Sequence, residues 1–159
     1  RNYGVQHASG DIVLFLDADT RLEKDAVQKF VQCFEGESIS IASCSVKPNS
    51  PKLLYKIFCF LKNGYYTLFY SGSNGALACT DKIAKSCRFN EWMQIGEIRD
   101  FIAQAKQHGK YKFLRGTSVT TSMRRYEKLG FIRTLLFWVG NEVKGMLREQ
   151  REKEYAVVR

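Results

Sequence analysis

The sequence predicts an α/β fold with a mixed sheet flanked by helices, and three observations carry that reading. Ile12 to Leu16 are five apolar residues in a row, the pattern of a short strand buried on both faces and typical of central parallel strands. Behind the run, Asp17-Ala18-Asp19 ends the strand and a helix is expected from about 21 to 35. Thr20 with Glu23 fits the S/T-x-x-E capping box, and Ala26, Val27, Phe30, Val31 and Phe34 would form the apolar face. Ser38 to Val46, SISIASCSV, then has the alternation and β-branching of a second strand. Open α/β sheets bind ligands just past the carboxyl ends of their strands, which is where Asp17 and Asp19 would sit.

The remaining elements follow in order. Residues 1–9 read as the end of a helix with Val5 and Ala8 inward and Gly10 as its left-handed stop. Residues 47–51, KPNSP, form a loop. In the aromatic-rich Lys52 to Tyr70, Leu53, Leu54, Ile57, Phe58 and Leu61 fall at helical spacing, with Lys52, Lys56 and Lys62 placed to reach water. That stripe fits either buried packing or a helix lying on a bilayer. Ser71 to Gly75 is a loop, Ala76 to Cys79 is apolar, and Thr80 with Asp81 can cap a short helix. Glu97 opens a helix whose stripe is Ile98, Phe101, Ile102 and Ala105 and whose end is Gly109. Tyr111 to Leu114 and Ser118 to Thr121 read as short strands, Phe131 to Val143 as an apolar helix, and REQREKEYAVVR as a charged tail.

At 159 residues the chain has the length of one domain. Its net charge of +9 is uneven: residues 101–159 hold 13 Lys/Arg against 5 Asp/Glu, and the first hundred hold 12 against 11. Such asymmetry points to an anionic partner beside the C-terminal half: nucleic acid, a membrane surface or phosphorylated substrate. A membrane surface fits better than nucleic acid because the basic residues are scattered among apolar ones without a reading motif. The five cysteines include no CxxC pair and read as buried reduced thiols, with expected cytoplasmic residence, peripheral at a membrane. His7 and His108 neighbour no cysteine, which disfavours zinc.

Two aspartates one residue apart in a turn can offer oxygen ligands to a hard cation shared with phosphate. RNYGVQHASGDIVLFLDADTRL resembles the segment of family 2 glycosyltransferases that leads into their Asp-x-Asp turn. SGSNGALA resembles their glycine-rich segment, Gly96 to Phe101 with Gly109-Lys110 their catalytic-base stretch, and Ser122 to Tyr126 their basic-aromatic motif near the diphosphate. The resemblance covers residues 1 to about 130, with 131–159 as a helical extension, apolar and then charged.

The resemblance implies a GT-A-like, Rossmann-like fold and inverting transfer from a nucleotide-diphosphate sugar to a sugar or lipid-linked acceptor, with Mn²⁺ or Mg²⁺. Asp17 and Asp19 would hold the diphosphate and metal, Asp19 foremost, with Arg124 and Arg125 assisting the leaving group. Ser73, Asn74 and Gly75 would line the acceptor side, and Glu97 or Asp100 would be the base. Two departures stand out. The family's Glu-Asp pair is Glu97-Ile98 here, and the β-α-β-α unit that opens family members is absent, so the sheet is expected to be truncated at its N-terminus with an exposed edge open to self-association. A second reading is therefore a catalytically silent module that binds an anionic membrane surface or partner. Against the catalytic roles, a solvated basic surface accounts for Arg124 and Arg125, and helix-dipole compensation for Glu97 and Asp100.

Overall fold

A computed structural model describes residues 1–35, 38–69, 72–93, 96–141, 143 and 144. Five strands, β1 (Ile12–Leu16), β2 (Thr20–Leu22), β3 (Ile39–Pro48), β4 (Ala76–Thr80) and β5 (Lys110–Thr121), form one sheet in the order β1-β4-β3-β5-β2. Only β3 and β5 run parallel; β1 with β4, β4 with β3 and β5 with β2 are antiparallel. The sheet wraps 283° round an axis and so nearly closes into a barrel. This overturns the open Rossmann-like, GT-A-like sheet expected from the sequence.

A short connection accounts for the curl. β1 and β2 are the two ends of the strand order, yet Asp17, Ala18 and Asp19 alone join them. Four flat strand spacings would separate the edges by about 19 Å. Four extended backbone steps from Leu16 to Thr20 reach at most about 14 Å. The link is in fact a tight turn, with Thr20 N–H donating to Asp17 C=O at 3.0 Å, so the edges must come together. The register break between Cys44 and Ser45 helps, because Leu114 faces the first and Ser118 the second while residues 115–117 bulge out of β5. Such bulges bend a strand and raise its twist.

Several local expectations are corrected with the fold. β1 is half-buried and antiparallel to its neighbour, not a central parallel strand. Thr20 enters β2 instead of capping a helix, and α2 (Ala26–Cys33) begins later, behind Asp25. Glu23 pairs with Lys47 and accepts from Ser118 Oγ, and Val27 and Val31 face solvent while Ala26 and Phe30 are buried. Tertiary pairing of Thr20–Leu22 with Val119–Thr121 outweighs the local capping signal. α1 (Asn2–Gln6) ends at His7, with Val5 buried, and Gly10 is not among the glycines with positive φ. Lys47 and Pro48 belong to β3, and the two short strands after residue 110 are one continuous β5.

Period-2 alternation divides the core. Ile41, Leu77, Cys79, Tyr111 and Phe113 point to one face, where Phe101, Ile102 and Ala105 of α5 (Glu97–Ala105) and Ile83 and Ala84 of α4 (Asp81–Ser86) cover them. Ala42, Cys44, Val46, Ala78 and Val119 point to the other, against Phe30 of α2 and Tyr55 and Cys59 of α3 (Leu53–Phe69). The expected stripe of α5 and the Thr80 cap of α4 both stand, with Thr80 Oγ1 accepting from Ile83 N–H at 3.4 Å. α6 (Arg124–Leu129) follows β5, and residues 131–141 form a further helix, α7. The charged tail lies outside the described residues.

Candidate functional site

The acidic turn is fastened from both sides. Asp17 N–H donates to Gly75 C=O at 2.9 Å, and Ser122 N–H donates to Asp19 C=O at 3.3 Å. Gly75 has φ +93°, and a Cβ there would lie 2.6 Å from Thr20 Oγ1, so this contact with the turn requires glycine. Asn74, 3% exposed, donates to Cys44 C=O at 3.0 Å and to Asn63 Oδ1 at 3.2 Å. Asn63 in turn accepts from Val46 N–H and donates to Val46 C=O, joining α3 to β3 like an added strand residue. Ser73 Oγ donates to Ala76 C=O at 3.1 Å. Ser73, Asn74 and Gly75 thus brace the turn, while Ser71 lies outside the described residues.

Asp17 and Glu97 meet through a residue that the sequence does not single out. The Arg1 guanidinium reaches Asp17 Oδ1 at 3.0 Å and Glu97 Oε1 at 2.8 Å while lying 5.2 Å from the Phe89 ring centroid. No sequence motif marks Arg1; only packing of α1 beside α4 and α5 brings it there. Asp19 is exposed at the turn apex. Asp100 is held on its own helix by Gln104 Nε2 at 3.0 Å, and Gln104 also bonds the backbone of Arg88. Lys62 is half-buried beside the Tyr66 ring; burial pushes its ammonium below the ordinary lysine range, and Asp17 partly offsets that. Arg124 and Arg125 are exposed on α6, Arg125 lying 5.7 Å from the Trp138 ring centroid.

The expected metal chemistry does not fit this arrangement. Among the described residues no group of three or more His, Cys, Asp or Glu is placed to hold a metal ion. Asp17, one of the two expected ligands, has a guanidinium on its carboxylate, which repels a second cation. With the nearly closed sheet, this overturns inverting, metal-dependent sugar transfer on a GT-A site as this chain's activity.

The large apolar surface lies elsewhere. On α3 only Tyr55 and Cys59 are buried, whereas Leu53 (71%), Leu54, Ile57, Phe60 (77%), Leu61, Leu68 and Phe69 are exposed. Tyr55 and Phe58 pack on Tyr126 of α6 and Phe131 of α7, with ring centroids 5.2–6.4 Å apart. Among the described residues no helix is long and apolar enough to cross a membrane.

No curated protein matches the chain. The model of the family described as "Glycosyl transferase family 2" matches residues 1–81, taking in the acidic turn and the braced loop and stopping before Glu97. That match spans more than half of the 159 residues, and the protein belongs to glycosyl transferase family 2 by sequence, although its sheet is not the open one the resemblance implied.

Proposed function

We propose that this chain is a catalytically silent module that binds an anionic membrane surface. The observation that carries the proposal is α3. At 100° per residue its exposed Leu53, Leu54, Ile57, Phe60, Leu61 and Leu68 fall within an arc of about 120°, away from the buried Tyr55 and Cys59, and exposed Phe69 in the last turn widens it to about 180°. A helix of this kind buries its free face in the headgroup boundary of a bilayer, and exposed Lys56 on its flank matches lipid phosphate. The net charge of +9, concentrated after residue 100, supplies long-range attraction. Silence is supported by Arg1 holding Asp17 and Glu97, by the Asp100–Gln104 contact, and by Ile98 at the position of the family's expected base.

Co-sedimentation of the full-length protein with vesicles tests the reading. Binding to phosphatidylserine-containing vesicles at low salt is expected, with loss at high salt or when phosphatidylcholine is the only lipid. The same preparation should show no Mn²⁺-dependent hydrolysis of nucleotide sugars. Equal recovery in the supernatant with and without anionic vesicles would overturn membrane binding, and hydrolysis abolished by Asp19→Ala would overturn silence.

A further inference from the structure

Resting on that reading, we infer that α7 is a second membrane-inserting element, pinned beside α3 so that the two helices enter one leaflet together. Ile132 (71%), Leu136 and Val139 are exposed on α7 and spaced four and three residues apart. At 100° per residue they share an arc of about 60°, a continuous apolar seam along the helix. Nothing described covers it, since Thr134 supplies the buried side of α7 and Phe131 its anchor.

Charge identifies the occupant. Arg125 and Lys128 on α6 and Arg133 and Lys144 beside the seam are all exposed, whereas Glu127, the acidic residue among residues 124–141, lies 3.9 Å from Lys52. A second copy docked along the same seam would bring Lys128 and Arg133 against their own kind, a like-charge arrangement that helical pairs avoid. Lipid phosphate matches these cations, while acyl chains match the seam. Continuity with α3 supports the same occupant. Phe131 lies between Tyr55 and Phe58, with ring centroids at 5.9 and 5.5 Å, so the first turn of α7 is fixed to the helix already proposed to meet the bilayer. Trp138, half-buried under Arg125, has the amphipathic character of an interfacial anchor.

The experiment uses the full chain with Trp92→Phe and Trp138→Phe, carrying either Phe60→Trp on α3 or Leu136→Trp on α7 as its one tryptophan. Mixed phosphatidylcholine and phosphatidylserine vesicles with brominated acyl chains should blue-shift and quench both probes. Quenching of the α3 probe alone would overturn the inference and leave the membrane reading intact, while absence of vesicle binding would remove both. A concentration-dependent blue shift of the α7 probe without vesicles would assign the seam to a second copy and overturn the inference. Ile132→Glu with Leu136→Glu, both at exposed positions, should weaken vesicle binding at least about tenfold with unchanged circular dichroism. A loss smaller than about twofold would equally overturn it.

Discussion

Arg1 and Glu97, 96 positions apart in the chain, are joined by a 2.8 Å charge-assisted hydrogen bond, and the same guanidinium holds Asp17. One side chain therefore ties α1 and the β1–β2 turn to the first turn of α5. Arg1→Gln should lower stability by about 0.5–1 kcal/mol at low salt, since both bridges are partly exposed and surface pairs contribute little. Urea denaturation at two ionic strengths checks this, and the difference from the parent should shrink as salt screens the pairs.

Gly75 and Gly130 both have positive φ, but only Gly75 is crowded. Gly130→Ala should cost about 1–3 kcal/mol through backbone strain alone, because its φ of +85° with ψ 138° lies outside the left-handed helical region. Gly75→Ala adds a collision with Thr20 Oγ1 and should cost about 3 kcal/mol or more. Thermal unfolding of the two variants side by side gives the comparison, with equal losses counting against the close approach of the turn and its brace.

Asn63 offers a third measure of how α3 is held. Asn63→Ala strips Val46 of both backbone partners and Asn74 of one, and should destabilise by about 2–3 kcal/mol. The amide of Val46 should then exchange with solvent faster by hydrogen-exchange measurement. Unchanged exchange would show that this bond is not what protects the strand.

Burial pushes the Tyr66 and Tyr126 phenols up to about 12. A folded-state pKa above the unfolded value means that the native form retains protons the unfolded chain releases. Stability from this source is therefore intact below about pH 10 and falls as pH rises from there toward about 12. Tyr126→Phe should flatten part of that fall, read as the slope of unfolding free energy against pH.

Burial raises the thiols likewise, Cys44 and Cys79 to about 12, with Cys59 and Cys87 also pushed up. At pH 8 a thiol reagent should modify half-buried Cys33 in the native protein and reach the other four only on unfolding. Rapid native modification of four or five would contradict the packing of β3 and β4.

Much of the local structure could be read from residue patterns. The β3 alternation, the Thr80 cap and the α5 stripe rest on period and capping chemistry within a few residues, and each is found where that chemistry puts it. The helix expected behind Thr20 fails for the opposite reason, because the partners of Thr20–Leu22 lie about a hundred residues downstream in β5. The stripe on α3 shows the same limit: its 3.6-residue period is equally compatible with core and with surface, and the structure leaves most of it exposed.

By itself, the sequence determined the family over residues 1–81, the excess of positive charge after residue 100 and the acidic turn at Asp17 and Asp19. Tertiary structure decided what those features face. It placed β1 and β2 at opposite ends of the strand order while three residues join them, which forces an expected open sheet to curl. It also brought Arg1 onto Asp17 and Glu97 and, among the described residues, left the apolar sides of α3 and α7 uncovered. These outcomes depend on contacts between distant parts of the chain, and residue periodicity carries information only about neighbours.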